Sequence, residues 1–127
     1  MSARRWLLFA AMLTAGCFHH APLAKVDDPN IITESEIRQY PSASIYGVIA
    51  RLRPEYLRDR GRISLLTSAR DVATVFLNDV EYGQLADMNT MPAAEIAEVR
   101  FYSGIDAVTK FGRQYGSGVI QLISRNH

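Results

Sequence analysis

Phe111-Gly112-Arg113-Gln114-Tyr115-Gly116-Ser117-Gly118-Val119-Ile120-Gln121-Leu122-Ile123-Ser124-Arg125 is the stretch on which the fold turns. Its second half, Val119 to Ser124, is a short run of β-branched and aliphatic residues with almost no polar alternation. That pattern predicts a strand covered on both faces. Gly112 predicts the end of a short helix over 106–111, because glycine takes the backbone geometry that closes a helix at little cost. The glycine-rich residues 112–118 do not suit a phosphate. A phosphate loop opens a helix whose first amides face the anion, whereas this loop opens a strand.

Working outward, Ala97-Glu98-Val99-Arg100-Phe101-Tyr102 alternates as a strand does, with Gly104 predicted to turn the chain after it. Pro92 suits the first turn of a short helix over 93–96, and residues 84–90 read as irregular. The β-branched run Val72 to Leu77 predicts another strand. Asn78-Asp79 closes it in a tight turn, and Val80 to Tyr82 returns beside it. Ile63-Ser64-Leu65-Leu66 is a further strand candidate. Towards the amino terminus, Thr33 and Glu36 have capping-box spacing and predict a short helix that Pro41 ends. Ile45, Val48, Ile49 and Leu52 fall at i, i+3, i+4 and i+7, one buried helical face capped by Ser42 or Ser44 and closed before Pro54, which is followed by a further turn. The elements describe an α+β domain over residues 31–125, a small mixed β-sheet with short helices. There is no internal repeat.

The first 16 residues read differently. Arg4-Arg5, the apolar run Trp6 to Leu13, and Thr14-Ala15-Gly16 before Cys17 form the layout of an export signal, and the apolar run falls short of the roughly 20 residues that span a bilayer. Ala15-Gly16-Cys17 is similar to a bacterial lipobox, in which Cys17 becomes the acylated amino terminus; Thr14 stands where leucine is usual. An ordinary signal peptide cut nearby is the other reading. Phe18, where an aspartate would retain a lipoprotein at the inner membrane in enteric bacteria, points to the outer membrane facing the periplasm. Residues 17–30, proline-containing and aperiodic, then serve as a lipidated tether.

The whole chain of 127 residues carries 14 Lys and Arg against 13 Asp and Glu, a formal +1. Loss of Arg4 and Arg5 with the signal leaves twelve bases against thirteen acids, a net −1. Such a balance disfavours nucleic acid as a partner. Arg51, Arg53, Arg58, Arg60, Arg62 and Arg70 make one basic stretch, read as a solvated face. One cysteine and three histidines, at 19, 20 and 127, offer no zinc-ligand spacing, so no metal and no cofactor are expected. The domain also lacks a nucleophile beside a base, and Asp27-Asp28 and Glu95 with Glu98 read as solubilising charge, so the chain is not expected to be an enzyme. Tyr82, Tyr102 and Tyr115 are read as partly packed in the core, with ligand contact as the alternative.

Three linked segments carry a family resemblance. Ile32-Thr33-Glu34-Ser35-Glu36-Ile37, then Val75-Phe76-Leu77-Asn78-Asp79-Val80, then Ile96 to Gly104 with Phe111-Gly112 and Gly118 to Arg125, resemble in order and spacing the plug domain of TonB-dependent outer-membrane receptors. Asn78, Asp79, Gly104, Phe111, Gly112 and Gly118 are the positions that mark the family, structural more than contacting. Two departures stand out. Asn78-Asp79 replaces the family's Asp-Gly, and Arg100 stands where its glutamate is usual. A receptor barrel of 22 strands at about 9–11 residues each needs more than about 200 residues, so the resemblance implies a plug without its barrel. Residues 19–30 do not match the segment that receptors offer to the energy-transducing partner. What the resemblance implies is a membrane-anchored interaction domain, accessory to TonB-dependent transport, with a separately encoded outer-membrane β-barrel as its partner. The alternative is a stand-alone periplasmic lipoprotein with a structural or small-ligand-binding role.

Overall fold

In the computed structural model, residues 28–59 and 72–126 are described. The export signal, Cys17, the tether up to residue 27, the strand candidate at 63–66, Arg60, Arg62, Arg70 and His127 lie outside the described residues. Strands β1 (Ile31–Ile32), β2 (Thr74–Leu77), β3 (Val80–Gly83), β4 (Ile96–Tyr102) and β5 (Val119–Ser124) form one sheet in the order β1-β4-β5-β2-β3. Only β2 and β5 run parallel; every other neighbouring pair is antiparallel. Helices α1 (Glu34–Ile37) and α2 (Ile45–Leu52) lie in the chain between β1 and β2, and α3 (Gly104–Phe111) lies between β4 and β5. The fold is a small α+β domain with a mixed five-stranded sheet.

Strand alternation divides the side chains between two faces. Ile120 and Leu122 of β5, Val75 of β2, Val99 and Phe101 of β4, and Ile32 of β1 join Ile37, Ile45, Val48 and Ile49 in the main core. On the opposite face Phe76 and Val119 meet Ala107 of α3, with Tyr102, Phe111 and Tyr115 packed around them. The four residues Val119 to Leu122 are therefore buried together, as the aliphatic run required.

Local chemistry sets the element ends. The Glu36 carboxylate accepts from the Thr33 amide at 2.8 Å and its hydroxyl at 2.9 Å. Burial pushes the Glu36 carboxyl up, but those two donors and Arg53, 3.3 Å away, outweigh it and hold it below its ordinary value. Ser44 caps α2, accepting from the Gly47 amide at 3.2 Å, and Pro54 opens a 3-10 turn over Pro54–Leu57 once α2 has ended at Leu52. Within the basic stretch, Arg53 pairs with Glu36 and the Arg51 guanidinium lies over the Tyr40 ring at 5.6 Å.

Three sequence expectations need correction. Gly104 is not a turn residue; it begins α3, after Ser103 in the N-cap position, and its amide is among those that no helix satisfies internally. Residues 84–90 are not irregular throughout, because Leu85–Asn89 is a 3-10 helix that buries Met88 and is tied at its start by the Gln84 amide donating to Asp87 Oδ2 at 2.7 Å. Pro92 sits before its 3-10 turn, Ala93–Glu95, and Ile96 already belongs to β4. The Ala93 amide there donates to the Ala43 carbonyl at 3.0 Å and the Ile45 amide to the Met91 carbonyl at 2.9 Å, a tertiary pairing that local propensity does not encode.

Tyr56 fixes where the chain enters the domain. Its ring stacks on Phe101 with centroids 4.7 Å apart, and its hydroxyl donates to the Pro29 carbonyl at 2.5 Å. Burial, with the residue 1% exposed, pushes the phenol up to about 12. The folded state thus favours the neutral phenol more than the unfolded chain does. Stability is expected to fall as pH rises from the ordinary tyrosine value of 10.0 towards about 12, because the unfolded chain loses this proton first. Urea titrations across that range should show the decline reduced in Tyr56→Phe.

Candidate functional site

Of the positions on which the resemblance rests, Gly104, Phe111 and Gly112 belong to α3 and its end, on one side of the sheet. Phe111 reaches from α3 into an aromatic group, its ring 4.6 Å from Phe76 and 5.3 Å from Tyr102, while Tyr115 meets Phe76 edge-on at 5.2 Å. Gly112 ends the helix at a φ of +118°, a conformation side chains resist. Tyr102 and Tyr115 are packed in this group as expected, whereas Tyr82 on the edge strand β3 is 43% exposed.

The Asn78-Asp79 turn is held by its own side chains. Asn78 adopts a left-handed φ of 56°, which asparagine tolerates better than most residues. Its Oδ1 accepts from the Ser124 amide at 3.0 Å, its Nδ2 lies 3.3 Å from Ser124 Oγ, and its own amide donates to the Leu122 carbonyl at 2.6 Å. The turn is thereby fastened to β5.

Gln121 links this turn to the helix. Only 5% exposed, it donates through Nε2 to the Asn78 carbonyl at 2.6 Å and to Asp79 Oδ1 at 3.1 Å. Its Oε1 accepts from the Tyr102 hydroxyl and from Lys110 Nζ, each at 3.1 Å. Both amide hydrogens and both oxygen lone pairs are in use, the full capacity of the group. Lys110 Nζ also donates to the Tyr102 hydroxyl at 2.6 Å and stands 4.3 Å from that ring's centroid. Gln121→Leu keeps the bulk but strands the Asn78 carbonyl; a loss of about 1–3 kcal/mol is expected, read as a lower urea midpoint.

Beside this network, α3 and the start of the described chain flank an open cleft of about 410 Å³. Phe101 and Ile31 form part of its lining, and Asp106, Thr109 and Lys110, at i, i+3 and i+4, present one polar face of α3 to it. Asp28, Asn30, Arg100 and Tyr102 complete the wall. The Arg100 guanidinium donates to Glu98, which holds it above its ordinary value. Asp28 Oδ1 accepts the Asn30 amide at 2.9 Å, and Asp106 Oδ2 accepts the Ser103 hydroxyl at 2.8 Å. A second cleft, about 300 Å³ between residues 41–44 and 89–92, has no ionisable side chain in its lining.

Sequence reasoning singles out neither Lys110 nor the tie through Gln121. A polar residue inside an otherwise aliphatic strand is the available signal for Gln121, and the helical spacing of Asp106, Thr109 and Lys110 is the one for the cleft. Among the described residues, no group of three or more His, Cys, Asp or Glu is placed to hold a metal ion, and no helix is long and apolar enough to cross a membrane. Compared with protein-family models, curated proteins and solved structures, the chain matches none.

Proposed function

We propose that this chain is a lipid-anchored, plug-like interaction domain of the bacterial envelope, working beside a separately encoded outer-membrane barrel. The observation that carries the reading is the ordered set of motif positions. Asn78 and Asp79 meet Gln121, Phe111 and Gly112 close α3, and Gly118 admits β5, so the positions that resemble the plug family serve one helix-on-sheet unit. The N-terminal lipobox-like Ala15-Gly16-Cys17 supplies the membrane attachment in this reading. Two acyl chains hold a protein stably where one binds reversibly, at about 0.8 kcal/mol per buried methylene.

Cell fractionation tests the anchor. The intact chain is expected in the outer-membrane fraction, and Cys17→Ser among the soluble periplasmic proteins. Equal membrane retention of both forms would remove the lipid from the account.

A further inference from the structure

We propose that the cleft beside α3 binds a small zwitterion, its carboxylate held by Lys110 and Arg100 and its ammonium by Asp28 and Asp106. The inference stands apart from any association with a barrel. At about 410 Å³ the cleft falls within the range of about 300–1,000 Å³ typical of small-molecule sites, with room for an amino acid or a dipeptide.

The charge arrangement selects the ligand class. Lys110 Nζ has three donors, and the two partners it has among the described residues, the Tyr102 hydroxyl and Gln121 Oε1, are both neutral. No carboxylate oxygen of a described residue comes within 4.0 Å of it. Asp28 and Asp106 likewise form no ion pair among the described residues; the Asn30 amide and the Ser103 hydroxyl that they accept leave each carboxylate with acceptor capacity. Arg100 is already paired with Glu98, but Lys110 on one side and Asp28 and Asp106 on the other line one cleft without joining one another, and leave both signs available to a ligand. A simple anion would face the two carboxylates, and a simple cation would face Lys110 and Arg100. A molecule with both groups answers all four side chains.

The walls hold these charges in place. Lys110 is positioned by Gln121 and Tyr102, and the β1 edge is joined to β4 by the Phe101 amide donating to the Asn30 carbonyl at 2.8 Å. Thr109 donates its hydroxyl to the Ile105 carbonyl at 2.9 Å, so it adds bulk more than a free donor.

The test is a titration of the full chain, ¹⁵N-labelled and held in detergent micelles, with L-alanyl-L-alanine followed by amide NMR shifts. Saturable shifts are expected at residues 30, 100–102 and 106–110. N-acetylation of the dipeptide, or amidation of its carboxylate, removes one charge and is expected to weaken binding by about tenfold or more. Lys110→Gln and Asp106→Asn are expected to do the same, with unchanged amide shifts across β2 confirming that each variant is folded. The blocked dipeptides need no variant and test the charges on the native chain. Absence of saturable shifts at these residues overturns the proposal, as does equal binding of the blocked and free dipeptides. Binding of the N-acetylated dipeptide as tight as that of the free one would mean an anion site and also overturns it.

Discussion

Ile120→Ala is expected to remove about 2–5 kcal/mol of folding stability, a large share of the roughly 5–15 kcal/mol that a domain of this kind possesses. The reason lies in its position. β5 is the central strand, and Ile120 has Phe101 of β4 as its cross-strand partner on one side and Val75 of β2 on the other. Its side chain is fully buried in the main core with residues of α1 and α2. Truncation loses apolar contacts on both sides and leaves a cavity that two hydrogen-bonded neighbours cannot easily fill. Ile120→Val, which removes a single methylene, should cost about 1 kcal/mol. Urea unfolding of the pair checks the argument: if both variants lose the same small amount, the neighbours collapse into the space and the packing account of β5 is wrong.

Gly118→Ala is the second large effect, a loss of about 2–4 kcal/mol from backbone strain and overpacking together. Gly118 has a φ of +104°, outside the region side chains accept. A Cβ there would stand 3.0 Å from the Tyr102 carbonyl oxygen and 3.3 Å from the Phe101 ring. The backbone is held on both sides, its amide donating to the Tyr115 carbonyl at 2.9 Å and its carbonyl accepting from the Thr74 amide at 3.1 Å. Relaxation would break the start of the parallel β2–β5 pairing. Gly116, two residues earlier, is the control: its φ is −59° and a Cβ would meet nothing nearer than 3.9 Å. Gly116→Ala should be neutral or stabilising by up to about 1 kcal/mol, since alanine narrows the unfolded ensemble. Thermal melts of the two alanine variants should therefore move apart; coincident melting temperatures would count against the strain argument.

Ile120 and Gly118 both lie in a stretch whose role is legible from its residues. Where local spacing and burial coincide, the amino-acid order is sufficient. Ile45, Val48 and Ile49 predict the buried face of α2, Thr33 and Glu36 the cap of α1, and the aliphatic run at 119–122 the doubly covered strand. The mixed α+β class follows from those elements. Gly104 misleads because a glycine after a strand usually signals a turn, yet the first residue of a helix loses no internal hydrogen bond and tolerates one. The 3-10 helix at Leu85–Asn89 and the pairing of residues 91–93 with 43–45 depend on contacts far apart in the chain, which a single sequence does not display. The same holds for the site. Lys110, Tyr102, Gln121 and Asp79 lie on a helix, two strands and a turn, and only the sheet order brings their polar atoms together.

The central claim, a lipid-anchored plug-like domain that works beside a barrel, meets its most direct test in a mild-detergent pull-down from native outer membranes. The intact chain and Cys17→Ser, each with a carboxy-terminal tag, are compared. The account predicts that an outer-membrane β-barrel protein is recovered with the lipidated chain and not with Cys17→Ser. A lipidated chain that reaches the outer membrane and recovers no barrel would contradict it and leave an independent envelope module.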